Sequence, residues 1–277
     1  METAVFRILV SGSHGFVGRA LTSFLQEAGH TVVPLVRSKE EGAVCWDPES
    51  GKLNPEEFEG FDAVIHLAGE NIATGRWTKK KKDKIFQSRV RDTWFLSQVL
   101  LRLARPPKTL ICASAMGFYG NRPNEILTEE SPPGNGFLSC LCKKWEEATI
   151  PIENRGTRVI HTRFGLILHP SGGILKKMNK FPVIFGNPNQ IISWIALGDV
   201  IGGIDYCLRV EEISGPVNFT SPYPVIQEEL IKTPLRIPAC LVRLLLGQMG
   251  EEMLLSSSCV YPEKLIKSGY VFRHPIL

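Results

Sequence analysis

Apolar residues along the first 170 positions fall into two alternating kinds of run. FRILVSG, TVVPLVR, DAVIHLAG, KTLICASA and the longer TRVIHTRFGLIL are short and nearly continuous. Runs of that kind read as strands covered on both faces. Between them lie segments with apolar residues three and four apart. In GFVGRALTSFLQEAGH, Val17, Leu21, Phe24, Leu25 and Ala28 share one helical face, and Gly29 stands where that helix ends. RDTWFLSQVLLRLA and GFLSCLCKKWEEAT read as further helices. Strands separated by helices predict parallel βαβ units, hence an α/β chain with a Rossmann-type, doubly wound, mainly parallel sheet. From about Pro222 the pattern changes to helical spacing in EELIKTPLRIPACLVRLLLGQMGEEMLL, with PEKLIKSGYVFRHP as a closing segment. The expected organisation is a Rossmann domain over 1–222 and a small α/β subdomain on the substrate side over 223–277.

Composition narrows the class. The 277 residues are 43% apolar, enough for a substantial core, and the formal charge of +4 is spread along the chain. The one basic run, Lys79 to Lys82, reads as a solvated helix face, so nucleic acid is not an expected partner. Cys45, Cys112, Cys140, Cys142, Cys207, Cys240 and Cys259 are scattered, form no C-x-x-C pair and have no histidines nearby at zinc spacing. Reduced thiols and no metal are expected. The first strand begins a few residues from Met1, leaving no room for a signal peptide, and no apolar run approaches the roughly 20 residues that span a bilayer. The chain reads as cytoplasmic, without a membrane partner.

The chemistry sits first in ILVSGSHGFVG, residues 8–18. A strand tip followed by Gly12, Gly15 and Gly18 fits a dinucleotide. Gly12 would allow the tight turn, Gly15 the approach of the pyrophosphate, and Gly18 close packing of the next helix on the strand. Ser13 and His14 complete the turn, while Phe16 and Val17 open the helix whose free N–H groups would face the phosphates. At the end of the second strand, an NAD site needs a carboxylate for the ribose 2′-OH. This chain has Val36, then Arg37, Ser38 and Lys39. A guanidinium suits a 2′-phosphate, so NADP is the expected cofactor.

In this order, ILVSGSHGFVG, DAVIHLAGENI, SAMGFYG, TRFGLIL and SWIALGDV resemble the extended and atypical short-chain dehydrogenase/reductases of the nucleoside-sugar epimerase-like group. HLAGENIATGRWT, QSRVRDT and LTEESPPGNGFLSCLCKKWE resemble its "epimerase family protein" branch, which carries a small carboxy-terminal domain of unknown role. The resemblance spans essentially the whole chain. It implies that His66, Leu67, Ala68 and Gly69 pass beside the adenosine ribose and pyrophosphate, that Trp46 and Asp47 flank the adenine, and that Arg89 faces the cofactor or substrate cleft as a cofactor-binding residue. Glu70 would line the reaction site and Asn71 the substrate.

Departures from the family pattern bear on catalysis. The superfamily uses a Tyr-x-x-x-Lys pair with a serine. Anchored on Glu146, the tyrosine place holds Leu138 and the lysine place Cys142. The serine place holds Ala115, with Ser114 one residue earlier. Ser114, Tyr119 and Glu70 are the remaining candidates for proton transfer. In SWIALGDV, Ala196 replaces an expected histidine and Asp199 reads as a helix cap, while the segments KKMNKFPVIFGNPNQ and SPYPVIQEELIKTPL are shorter than the family's. The expected function is NADP-dependent hydride transfer on a nucleotide sugar or small carbonyl compound, with a homodimer as one assembly. The rival is a non-catalytic NADPH-binding sensor or scaffold.

Overall fold

The structure is a computed structural model that describes residues 5–170, 172–173, 175, 180 and 182–277; part of the KKMNKFPVIFGNPNQ segment lies outside these. At its centre is an eight-stranded sheet. Seven of its strands are β1 (Arg7–Ser11), β2 (Thr31–Val36), β3 (Val44–Asp47), β4 (Lys52–Leu53), β5 (Ala63–His66), β6 (Thr109–Ala115) and, beyond a strand outside this sheet, β7 (Arg122–Leu127), β8 (Arg158–Phe164). The short strands β9 (Leu166–His169), β10 (Ile184–Phe185), β11 (Ile191–Ile192) and β12 (Trp194–Ala196) follow, and β13 (Gly215–Phe219) is the eighth. The order across the sheet is β13-β8-β6-β5-β1-β2-β3-β4, parallel throughout except for the β3–β4 pair.

Both faces are covered, as the unbroken apolar runs require. On one side, α1 (Phe16–Glu27) and the helix Leu197–Arg209 bury Leu21, Leu25, Val200 and Ile204 against Ile8, Val10 and Ile65. Beyond α2 (Lys79–Phe86), the other side is packed by α3 (Asp92–Leu101). With α4 (Phe137–Glu147) intervening in the chain, α5 (Ile150–Glu153) completes it, and Leu96, Leu100 and Ile152 meet Leu9, Val64 and Leu110. The chain direction across the sheet reverses between β1 and β5, which opens a crevice at their carboxyl ends.

Register then places the polar residues. Ser11 of β1 lies beside His66 of β5, and Ser114 of β6 beside Arg163 of β8, which in turn lies beside Asn218 of β13. The TRVIHTRFGLIL run is two strands rather than one. It breaks at Gly165, where a Cβ would come within 2.9 Å of both Ser193 O and Thr220 Cγ2, and β9 leaves the main sheet to pair with β12. The edge strands β4 and β13, and β3 beside β4, lie outside the predicted set, being short and interrupted by polar residues.

The carboxy-terminal segment folds back on this frame. The strand Ser258–Val260 pairs with β7, and Leu265 of the helix Glu263–Lys267 joins the first core cluster. Asp199 does not cap its own helix, whose N-cap is Ala196. Its fully buried carboxylate accepts the backbone N–H groups of Arg273 (2.6 Å) and His274 (2.8 Å) and so anchors the last residues.

Candidate functional site

The crevice begins at the glycine turn. Gly12 has φ +72°, and a Cβ there would lie 2.9 Å from the backbone of Leu67 and Ala68, so only glycine lets β1 and the β5 exit approach this closely. At Gly18 a Cβ would sit 2.1 Å from Gly12 O, which makes the close seating of α1 on the turn depend on its absence. Gly15 is the N-cap of α1 and provides no side-chain cap, leaving the first N–H groups of the helix directed outward.

Two buried polar atoms at this mouth have no partner among the described residues: Ser13 Oγ and His66 Nε2. Ser13 is 5% exposed and His66 fully buried. His66 Nδ1 shares a 2.6 Å hydrogen bond with Ser11 Oγ. Burial, and secondarily the charge of Arg37, pushes the imidazole down to about 4, so it is neutral. Buried polar groups are rarely left unpaired in the absence of a ligand or water. These orphans and the glycine cradle fit a dinucleotide lying across the ends of β1 and β5.

The other cofactor candidates spread around that line. Arg37 donates to Asp92 Oδ2 at 2.6 Å, yet its side chain remains 56% exposed, and Ser38 beside it is exposed. His14 is exposed and lies 3.4 Å from Glu40. Phe16 meets His169 edge-on and fills the space above Gly172 and Gly173, while Val17 packs against the first core cluster. Trp46 does not stand free as an adenine flap. It is a core residue, stacked on Phe95 and edge-on to His66. Asp47 is likewise spent on its own turn, accepting Ser50 Oγ (2.6 Å) and the backbone N–H of Glu49 (3.0 Å).

Past Leu67, Ala68 and Gly69 the loop turns to the reaction side. Glu70 binds Lys81 Nζ at 2.6 Å, and that hydrogen bond holds its carboxyl below the usual range. Lys81 is thus turned onto the loop, where it also bonds Thr74 Oγ1 at 3.1 Å. Asn71 Oδ1 accepts the backbone N–H of Ala73 (2.8 Å), which fixes the loop. Arg89 is presented by a single π-turn, Gln87–Arg91, between α2 and α3, a distortion often found where a helix serves a site. Its guanidinium lies across Gly69, 5.1 Å from the centre of the Trp145 ring, and donates to Glu70 O at 2.9 Å. Cys142 is buried nearby, its thiol pushed up to about 12, and Leu138 packs on Gly117. Glu252, from the helix Gln248–Met253, accepts the N–H groups of Phe137 (2.9 Å) and Leu138 (2.7 Å), thereby capping α4.

Ser114 and Tyr119 do not join this group. Ser114 Oγ donates to Glu146 Oε1 at 2.7 Å, inside the protein. Glu146 makes a two-pronged pair with Arg163, Nε to Oε1 and Nη2 to Oε2, both 2.8 Å. Arg163 Nη1 donates to the Tyr119 hydroxyl (2.9 Å), which donates to Asn218 Oδ1 (2.6 Å). Tyr119 is fully buried, and burial pushes its hydroxyl up to about 12. Both hydroxyls, expected as candidates for proton transfer, are hydrogen-bonded within a network behind the strand ends. Glu146, Arg163 and Asn218 were not among the expected residues, although an arginine within the apolar run of β8 is itself a sign of a buried pair. Among the described residues, no three His, Cys, Asp or Glu side chains gather as a metal would require, and no helix is long and apolar enough to cross a membrane.

A glycine-cradled crevice at the switch point of a doubly wound sheet defines a Rossmann-type dinucleotide-binding fold. Residues 8–137 match the NAD dependent epimerase/dehydratase family, and residues 237–277 match a domain of unknown function, DUF1731. The epimerase family protein Mb2239 of Mycobacterium bovis is 36% identical, covering 96% of this chain and 93% of its own length. A nucleoside-diphosphate sugar epimerase from Corynebacterium glutamicum superposes with a TM-score of 0.83 at 35% identity over 99% of this chain, which spans only 56% of that longer protein. Human epimerase family protein SDR39U1, crystallised with NADPH, superposes with a TM-score of 0.88 at 28% identity over 98% of this chain and 96% of its own. The chain belongs to this epimerase family.

Proposed function

We propose that the chain binds NADP(H) in the crevice between the ends of β1 and β5 and serves hydride transfer on a small carbonyl or carbinol substrate. The observation that carries this reading is the pair of orphaned buried atoms, Ser13 Oγ and His66 Nε2, at the mouth of a glycine turn. The free N–H groups at the start of α1 would hold the phosphates, with His14, Gly15, Phe16 and Val17 shaping the turn. Arg37, steadied by Asp92 but with donors to spare, and Ser38 would take the 2′-phosphate. Leu67, Ala68 and Gly69 would pass beside the ribose. The human relative's NADPH supports the choice of cofactor. When bound, the nicotinamide supplies or accepts the hydride. The segment 223–277, whose Glu252 caps α4, would close the substrate side.

Ser114 and Tyr119 have no proton role in this proposal, and Glu70, held ionised by Lys81, positions rather than protonates. A proton for a reduced carbonyl then comes from water. A second reading, a non-catalytic NADPH-binding protein, is favoured by Leu138 and Cys142 where a tyrosine and lysine would stand.

Calorimetric titration with NADPH and NADH tests the cofactor site. NADPH is expected to bind at least about tenfold more tightly, a margin that Arg37→Asp removes, because a charge-assisted phosphate contact contributes about 1.5–3 kcal/mol. Equal affinities, or no binding of either, would overturn the reading. Loss of NADPH absorbance under single turnover with a panel of aldehydes and ketones separates catalyst from binder.

A further inference from the structure

An NAD site of this fold needs a carboxylate at the end of β2 to accept the ribose 2′-OH, and Val36, Arg37 and Ser38 supply none. The fold brings one there from elsewhere in the chain. Asp92, 55 residues beyond Arg37 and on α3, accepts from Arg37 Nη2 at 2.6 Å. One turn further along α3, Phe95 stacks on Trp46, which meets His66 edge-on. Asp92 thus stands at the β2 side of the dinucleotide crevice, across the guanidinium from β2 itself.

That carboxylate is placed at a cost. Asp92 is only 5% exposed, and burial holds its carboxyl above the usual carboxylate range in spite of the guanidinium beside it. Arg37 is its one hydrogen-bond partner among the described residues, and only through Oδ2. Oδ1 has none, yet it is not sealed from solvent. Arg37 in turn leaves 56% of its side chain exposed. An ion pair with an exposed member contributes little to stability, whereas taking a carboxylate out of water is costly. A structural brace between β2 and α3 therefore does not account for Asp92.

We propose that Asp92 is the ribose carboxylate of the cofactor site: it accepts the 2′-OH of NAD(H) and opposes the 2′-phosphate of NADP(H), so that Arg37 sets the preference for NADP(H) and Asp92 limits it. The proposal rests on the NADP(H) reading given above and deepens it, because the site then admits NAD(H) as a second, weaker cofactor. A phosphate paired with Arg37 comes close to a carboxylate that touches the same guanidinium, and like charges repel. A bare ribose hydroxyl meets no such repulsion and finds an ionised acceptor, which makes the stronger kind of hydrogen bond.

The test titrates the full chain calorimetrically with NADPH and with NADH, for the parent, Asp92→Asn, Arg37→Met and the double variant. Asp92→Asn keeps the shape and removes the charge. It is expected to bind NADPH at least about threefold more tightly and NADH at least about threefold less tightly, widening the preference about tenfold. Arg37→Met leaves Asp92 in place without its partner, and this variant should bind NADH in preference to NADPH. The double variant should lose that reversed preference. A lower Tm in Asp92→Asn with an unchanged NADPH to NADH ratio would make Asp92 a structural residue and overturn the proposal. Weaker NADPH binding by Asp92→Asn would overturn it as well, leaving Asp92 to orient Arg37 for the phosphate. So would an Arg37→Met variant that favours neither cofactor. All three leave the NADP(H) reading standing, since that is read on the parent; a parent that binds neither cofactor overturns both.

Discussion

Replacing Glu146 with leucine is expected to destabilise the protein by about 3–5 kcal/mol, the usual cost of removing one member of a buried ion pair. Arg163 is 4% exposed at its side chain and Glu146 12%, so the pair is shielded from water and from screening. Two contacts of 2.8 Å join them, and Ser114 Oγ adds a third bond to the same carboxylate at 2.7 Å. At an effective dielectric of about 20, such a pair attracts by about 4 kcal/mol, and Arg163 would keep its desolvation cost after losing that attraction. The Tyr119 hydroxyl at 2.9 Å and the Phe118 ring at 3.5 Å are poor replacements for a counter-ion. For a domain of this size the loss corresponds to roughly 10 °C in Tm. Adding Arg163→Met to Glu146→Leu removes both charges and should recover most of the stability. Thermal and urea unfolding of the parent, both single variants and the double measure the coupling, expected to be at least about 2 kcal/mol. NADPH affinity, measured alongside, should fall less than stability does. A loss under about 1 kcal/mol, or a double variant no more stable than the singles, would refute the structural account. Unchanged stability with abolished turnover would return Ser114 to the candidates for proton transfer.

Two further outcomes follow from the same geometry. Burial holds His66 and His161 at about 4, below the ordinary 6.5, so between these values the unfolded chain binds more protons than the folded one. Stability is therefore complete above about pH 6.5 and is lost as pH falls towards 4, by up to about 3 kcal/mol for each histidine; urea midpoints from about pH 7 to pH 4.5 check this, and a flat profile counts against it. Gly18→Ala puts a Cβ 2.1 Å from Gly12 O and 2.8 Å from Ser13 Cα, atoms of backbone that cannot swing aside. Overpacking costs about 1–3 kcal/mol and the helix regains about 1 from alanine, so stability should fall by up to about 2 kcal/mol while NADPH affinity drops more than about tenfold; normal binding would show that the turn is not the cradle.

How much of this was legible in the sequence depends on how local each constraint is. The glycine turn is legible because φ at Gly12 and the contact of Gly18 with Gly12 are set within seven residues. The α/β alternation and the sheet's parallel sense follow from the same short-range pattern. The partners of Ser114 and Tyr119 were not legible because they are decided across strands. The Asn218–Arg163–Ser114 row exists only after β6, β8 and β13 adopt their register, and Glu146 reaches it from α4. The place of Lys81 within the lysine run was not legible for a similar reason. Its composition suggests solvent, but Lys81 faces Glu70 across a loop that periodicity does not place. Trp46 could be put at the end of a strand but not into the core stack with Phe95, which needs α3 in position.

The two halves of the crevice are unlike in a way that bears on any reaction there. At the β1–β5 tip two buried polar atoms lack a partner among the described residues, whereas at the β6–β8 wall Ser114, Tyr119, Glu146, Arg163 and Asn218 bond to one another. Tyr119 is locked between Asn218 and Arg163, and burial pushes its hydroxyl up to about 12, so any use of that hydroxyl begins with breaking those two bonds. The loop side, where Glu70 pairs with Lys81, is half-exposed and has no such network to dismantle.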